Sequence, residues 1–380
     1  MIRSLSLKSI GQIEDVNVEL GDLTILTGPQ ATGKTIFLHF LKLAQDYGPI
    51  ANNIRTYGFD WQGNWHEFLS LYLGEGQSKG WTGKSEILVD GKAFPLEQKL
   101  LGNGRRAVDE KVLLIPAQRA TIFRNGWPRA FMDFGRDEPY SVGTFAESIR
   151  LSLESKIPDE GKSLVGGWRQ SLASTWEDSV YHHATMTLAR EGTQRKLVLD
   201  LDRKQRIPFS GWSTGQREFA PLLLSLTWLK RASTKYEAVI IEEPEAGLHP
   251  KAIVSAMALV FELLSWGKKV VLSTHSPAVL DVVWAFQEIR RAHRKTVSLP
   301  KPVQELFDVR NGAFDWEALR KATFKTYHFH LKDSQRTICE DISTLDPGSE
   351  NDLISGWGGL TGFSSKAAQL VAESVNGSKR

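Results

Sequence analysis

Residues 23–43 read LTILTGPQATGKTIFLHFLKL, and the reading of this stretch decides the fold. An apolar β-type run, Leu23, Ile25 and Leu26, meets the loop Gly28-Pro29-Gln30-Ala31-Thr32-Gly33-Lys34-Thr35, and a helix follows. The loop fits GxxxxGK[ST] in the strand–loop–helix setting that this phosphate-binding pattern requires. Gly28 and Gly33 let the backbone curl so that successive N–H groups point inward at a phosphate. The positive end of the following helix adds to that field. Lys34 is expected to reach the β- and γ-phosphates, and the Thr35 hydroxyl to ligate Mg²⁺. Behind the loop, Ile36, Phe37, Leu38, Phe40, Leu41 and Leu43 make the helix apolar almost all round, as a core helix is. A nucleotide is the expected ligand.

The 380 residues allow one large or two ordinary domains with ample core. A hydrophobic content of 41% with 24% charged residues is that of a soluble globular chain. No apolar run approaches the ~20 residues of a membrane span. The start, MIRSLSLKSIG, alternates like a strand and lacks a signal peptide's apolar block, so a cytoplasmic protein is expected. Cys339 is alone, which excludes a disulfide framework and a cysteine-based zinc site. A net charge of +3 neither demands nor excludes nucleic acid. The twelve tryptophans are scattered and read as packing residues.

Outward from the loop, residues 1–22 read as a hairpin, and Asp90-Gly91 suits a second tight turn within Glu86–Phe94. Val112–Ile115, Ala238–Ile241 and Val270–Leu272 are short apolar runs suited to buried parallel strands. Helices are expected over Thr144–Ser155, Pro221–Leu229 and Ala252–Leu264, and a hairpin over Thr185–Ala189 and Lys196–Asp202. Strands alternating with helices indicate an α/β fold with a parallel sheet covered on both faces. The last residues, Asn376–Arg380, read as a frayed end.

Three further stretches carry chemistry. Ala238–Ile241 runs into Glu242-Glu243-Pro244-Glu245-Ala246-Gly247-Leu248-His249-Pro250, and carboxylates at the end of a buried strand sit where α/β sheets hold ligands. Glu242 is the candidate Mg²⁺ holder and Glu243 the candidate for polarising a water. The next strand ends Ser273-Thr274-His275-Ser276-Pro277, where His275 can bond a γ-phosphate or orient the water. Upstream, Ser213-Thr214-Gly215-Gln216 precedes a helix, and small polar residues there form a second anion site or an ordinary cap.

These pieces, in this order, resemble an ABC-type ATPase over about residues 1–280. Gly28–Thr35 resembles its Walker A, Gln118 its Q-loop glutamine, and Ser213-Thr214-Gly215-Gln216 its signature motif with Thr in place of Gly. Ile240–Glu243 resembles Walker B and His275 the switch histidine. "IEEPEAGLHP" and "STHSP" look like the cytosolic branch of OLD-type, RecF-like and SMC-like ATPases. Two departures are Glu242 in place of Asp and His249 in place of an aspartate that communicates across the dimer. The resemblance implies a P-loop NTPase head with an antiparallel β subdomain and a helical subdomain. It implies a core of 1–119 and 210–284, an inserted segment of about 120–209, and a basic helical extension over 285–380. Gln118 would join Thr35 and Glu242 at Mg²⁺, with Gln118, Glu243 and His275 at the hydrolytic centre. Two chains would sandwich two ATP molecules, the signature residues Ser213, Gly215 and Gln216 of one capping the nucleotide of the other.

The implied function is ATP hydrolysis in a dimerisation switch that controls an effector protein or DNA, as in stand-alone bacterial ATPases of anti-phage defence. A low-turnover ATP-binding scaffold is the alternative, ahead of a RecF-like repair ATPase or a transporter motor. Between Gln118 and Ser213 the prolines Pro128, Pro139 and Pro158 and the lack of heptads exclude a long coiled coil. Glu340, Asp341 and Asp346 are too few for an appended nuclease and read as solvated loop residues. Arg290, Arg291, Arg294, Lys295, Arg320 and Lys321 suit either a solvated helical face or a phosphate-backbone contact.

Overall fold

The computed structural model describes residues 1–101, 109–155, 161–201, 205–231, 236–333, 335–362, 366–368 and 370–371. The end read as frayed, 376–380, lies outside them. The chain opens with the expected hairpin, β1 (Ser4–Ile10) and β2 (Ile13–Glu19), whose alternating residues point Leu5, Leu7, Val16 and Val18 inward. Strand β3 (Leu23–Thr27) then leads through the loop into α1 (Lys34–Thr56). Next come α2 (Trp65–Leu73), the hairpin β4 (Trp81–Val89) and β5 (Lys92–Ala93), and α3 (Leu96–Leu101). Strand β6 (Val112–Ile115), the two-stranded ribbon β7 (Phe123–Arg124) and β8 (Trp127–Pro128), and α4 (Tyr140–Ser155) follow. After α5 (Gln170–Trp176), β9 (Thr185–Glu191), β10 (Gln194–Asp200) and β11 (Arg206–Pro208) form a small antiparallel sheet.

The second half alternates as expected: α6 (Thr214–Arg231), β12 (Ala238–Glu242), α7 (Pro250–Ser265), β13 (Lys269–Thr274) and α8 (Pro277–Ala292). It closes with α9 (Lys301–Phe307), α10 (Trp316–Lys321), β14 (Phe324–Leu331), β15 (Thr337–Asp341) and the short α11 (Asp352–Ser355).

One ten-stranded sheet runs β5-β4-β1-β2-β15-β14-β3-β13-β12-β6. From β14 to β6 neighbouring strands are parallel, while the β1, β2, β4 and β5 end is antiparallel. The fold is thus the expected α/β one, with the antiparallel strands continuing the parallel core rather than forming a detached sheet. Strands β3, β6 and β12 are buried along their whole length, which only a sheet covered on both faces allows. Helices α1 and α2 pack on one face with Leu26, Leu114 and Ile240, and α4, α6, α7 and α8 cover the other with Ile25, Ile115 and Ile241.

The extension expected beyond residue 284 is not an appendage to this sheet. Its hairpin β14–β15 is inserted between β3 and β2, with Phe324 opposite Leu23 and His328 opposite Thr27. Glu340 and Asp341 lie on β15 and not in a loop, and α4 begins at Tyr140, four residues before Thr144. No helix among the described residues is long and apolar enough to cross a membrane.

Candidate functional site

Four neighbouring parallel strands, in the order β3, β13, β12 and β6, end on one edge of the sheet. Their continuations are, in the same order, the Gly28–Thr35 loop, His275, the Glu242–Glu243 pair and Gln118. Register explains the alignment: Thr27 pairs with Thr274, Ser273 with Glu242 and Ile241 with Ile115. Residues some 200 positions apart in sequence arrive side by side because parallel strands present all their carboxyl ends on one edge.

The loop has the backbone its sequence called for. Gly28 and Gly33 take φ of 137° and 80°, and Ala31 is left-handed at 56°. A side chain at Gly28 is excluded by its neighbour as well as by φ, because a Cβ there would lie 2.0 Å from the Phe329 carbonyl oxygen on β14. Pro29, Gln30 and Ala31 are exposed, whereas Thr32, Gly33 and Lys34 are buried. Gln12, on the β1–β2 turn, donates to the Ala31 carbonyl and anchors the loop from outside. The Lys34 ammonium donates to the carbonyls of Gly28 (2.9 Å) and Pro29 (2.7 Å) and to Thr32 Oγ1 (3.2 Å). Burial pushes it down to about 8, against the pull of Glu243 and Glu245, so it stays a cation at neutral pH.

Glu242 is 4% exposed, and burial pushes its carboxyl up to about 7 although Thr35 and the Ala117 N–H both donate to it. Its Oε1 has no partner. A buried carboxylate with one oxygen unpaired, bonded to the Thr35 hydroxyl, suits a hard divalent cation, and Mg²⁺ beside phosphates needs only one or two protein carboxylates. No cluster of three or more His, Cys, Asp or Glu fit for a metal occurs among the described residues. Gln118 is exposed beside Ala117, and its main-chain carbonyl accepts from Thr121.

Glu243 has φ of 44°, a left-handed backbone that an L-residue adopts at a cost of about 1–2 kcal/mol. This conformation follows directly on the strand end and brings the carboxylate to His275, with Nε2 to Oε1 at 3.3 Å. The His275 ring is lowered from its ordinary value by burial and by Lys34, opposed by Glu243 and by a hydrogen bond to the Gly28 main chain. Glu245 holds this corner in place, accepting from Thr274 Oγ1 (2.6 Å) and the His275 N–H (2.9 Å). Sequence reading gave Glu245 no role, and only the fold reveals one.

A cavity of about 560 Å³ opens from the loop. Gly33, Lys34, Thr35, Glu243 and His275 form one wall, and Gly11, Phe40, Leu69 and Trp81 extend it away from the loop. Ser213, Gly215 and Gln216 are not part of this wall. They form the start of α6, where the Ser213 hydroxyl accepts from the Gln216 N–H (3.3 Å) and the Gln216 side-chain oxygen accepts from the Ser213 N–H (3.0 Å). This reciprocal capping box satisfies two end groups of the helix. Gln216 also donates to the Val180 carbonyl, so its amide is committed to local structure. Ser213 is exposed, and Gly215 lies so close to the Gly247 carbonyl that a Cβ would meet it at 2.8 Å.

Most of the basic residues of 285–325 are engaged locally. Arg291 pairs with Glu288, and Arg320 and Lys321 both pair with Glu317. Arg290 donates to the Ala322 carbonyl and lies over the Phe324 ring. Arg294 and Lys295 are exposed on the same segment.

Residues 149–281, about a third of the chain, match a family described as "AAA domain, putative AbiEii toxin, Type IV TA system". The matched span holds the signature-like segment, the Glu242–Glu243 pair and His275, but not the Gly28–Thr35 loop. No curated protein matches. Among solved structures the chain is similar to an SMC head bound to the C-winged helix domain of ScpA, at 11% identity and a TM-score of 0.44, with 90% of this chain and 97% of that one covered. It is similar to the SMC head domain from Thermotoga maritima at 10% identity and a TM-score of 0.37, covering 90% and 98%. An ATP-binding subunit of an ABC transporter aligns at 14% identity and a TM-score of 0.33, covering 72% and 80%.

Proposed function

We propose that this chain is an ABC-type ATPase whose two copies close on two ATP molecules and reopen after hydrolysis, setting the state of a partner. The observation that carries the reading is the order along the sheet edge: phosphate loop, His275, Glu242–Glu243, Gln118. The capped start of α6 stands outside that cavity, free to serve another molecule's nucleotide.

In this reading the main-chain N–H groups of 30–35 hold the phosphates, and Lys34 exchanges the Gly28 and Pro29 carbonyls for phosphate oxygens. Thr35, Glu242 and Gln118 would hold Mg²⁺, which supplies charge neutralisation at the phosphates. Glu243 takes a proton from the attacking water as its oxygen bonds to the γ-phosphorus and the bond to ADP breaks. His275, 3.3 Å away, fixes the direction of that carboxylate and can donate to the γ-phosphate. Ser213 and Gly215 of the second chain, at a helix N-terminus, cap the γ-phosphate. ATP then favours the closed pair because ADP lacks the capped group. Moving such an equilibrium from 1:99 to 99:1 takes about 5.5 kcal/mol of differential binding, within reach of several charge-assisted hydrogen bonds at two sites.

Glu243→Gln keeps the shape and removes the base. With ATP and Mg²⁺ it is expected to stay a dimer by light scattering while the wild type cycles back to monomer, with turnover at least about 100-fold lower. A variant that remains monomeric refutes the sandwich. Equal, near-background ATPase rates in the two proteins assign the chain as an ATP-binding scaffold instead.

A further inference from the structure

Arg119 follows Gln118 in the segment just past β6, and its side chain is 0% exposed. Its Nε donates to the Glu218 carbonyl (2.9 Å), Nη1 to those of Pro116 (3.2 Å) and Glu242 (2.7 Å), and Nη2 to that of Glu243 (3.0 Å). All four acceptors are main-chain oxygens, on segments up to 124 residues away. A side-chain acceptor can follow the arginine by rotating, but a main-chain carbonyl moves only with its whole segment. The guanidinium is also a planar, rigid fork, so it fixes directions as well as distances. Glu218 lies on the first turns of α6, the helix that begins with Ser213 and Gly215. Its carboxylate returns to the Ala120 N–H (3.2 Å), closing the link from both sides. The close approach of Gly215 to the Gly247 carbonyl ties the same helix end to the turn after Glu245.

We propose that Arg119 is a positioning residue that makes α6 and the Glu242–Glu243 turn move as one body. Seating Ser213 on the partner's nucleotide thereby sets Glu243 over the chain's own. This rests on the ATP sandwich proposed above and adds a route between its two sites: capping in one direction prepares hydrolysis in the other. Burial lowers the guanidinium from its ordinary value, and the Glu218, Glu245, Glu243 and Glu242 charges oppose that cost in part.

The test is Arg119→Lys in the full-length chain. Lysine keeps the charge but is a point cation whose three donors cannot span four carbonyls in a plane. The expected result is kcat lower by at least about tenfold and a Hill coefficient for ATP near one, with the affinity for a fluorescent ATP analogue within about threefold of wild type. A kcat loss matched by equal losses of affinity and thermal midpoint would mark a merely structural cation and overturn the proposal. Unchanged kcat and cooperativity would overturn it too. Because Arg119→Lys also loses packing, Glu218→Gln is the second variant. It keeps the helix and the main-chain acceptor but weakens the return bond to Ala120, and it is expected to lower kcat with affinity intact. A wild type that neither hydrolyses ATP nor dimerises with it overturns both readings, whereas an active wild type beside an equally active Arg119→Lys overturns this one alone.

Discussion

Two buried histidines, His39 on α1 and His328 on β14, have rings that burial pushes down to about 4, with Lys42 adding to the effect at His39 and His330 and Lys34 at His328. Both are neutral in the folded chain at pH 7. Between pH 6.5 and about 4 the unfolded chain takes up protons that the folded one refuses, so stability falls as the pH drops through that range. Glu242 acts in the opposite direction, because its raised folded value costs stability as the pH rises from 4.5 to about 7. The difference between wild type and His328→Gln removes that shared contribution. The wild type is expected to lose about 3 kcal/mol more than the variant between pH 6.5 and 4, measured by urea unfolding at each pH. Parallel slopes would show that His328 is not held neutral. At this scale the legible residues were those whose chemistry is a spacing: Gly28, Gly33, Lys34 and Thr35 stand together in eight positions. Arg119 was not legible, since its partners are main-chain carbonyls that any residue could supply. Gln216 read as a ligand contact and is occupied in a capping box, a use that the same Ser-x-x-Gln spacing also signals.

Elements buried on both faces were read almost to the residue. Val112–Ile115 is β6 with its bounds unchanged, and Ala238–Ile241 gains only Glu242. Continuous apolar runs have sharp ends because burial does. Helix starts were placed late, since polar first turns such as Thr214-Gly215-Gln216-Arg217 carry no apolar period and are set by caps. One break inside a helix was invisible. Asp46 in α1 leaves helical geometry, at φ −120° and ψ 21°, and its carboxylate accepts from the N–H groups of Lys111 and Val112 at 2.9 Å each. Lys42, one turn earlier, bonds Glu110 (2.8 Å) and the Val112 carbonyl (2.7 Å). The break thus joins the phosphate-loop helix to the start of β6, the strand that leads to Gln118. Asp46→Ala strands the buried Val112 N–H and the half-buried Lys111 N–H and weakens the partnering of a buried cation. It is expected to cost about 3–5 kcal/mol in denaturant unfolding. A loss below about 1 kcal/mol would mean that water or a local shift replaces the carboxylate.

At the scale of the whole molecule, the sheet joins what the sequence divided at residue 284. The motifs end at Ser276-Pro277, and no spacing rule links Phe324–Leu331 to a loop three hundred residues earlier. Parallel pairing is non-local and leaves no local mark, which is why the position of β14 was beyond sequence reading. Yet β14 is the strand that backs the phosphate loop. It pairs with β3 from Phe324 to His328, its Phe329 carbonyl limits residue 28 to glycine, and the Phe329 ring packs edge-on to Phe37 of α1. A chain ending after residue 323 would leave β3 and β2 with unpaired edges in the middle of a sheet and uncover the apolar faces that Phe324, Tyr327 and Phe329 now bury. Such a chain retains every ABC-like motif. If those motifs formed a self-sufficient domain, it would melt cooperatively and bind ATP. The sheet order argues for the opposite result: no cooperative transition by near-ultraviolet circular dichroism, and no ATP binding by equilibrium dialysis, under conditions in which the full chain shows both. Supplying residues 324–362 as a separate fragment should restore part of the binding, because the hairpin's contribution lies in its contacts and not in its connection to α10.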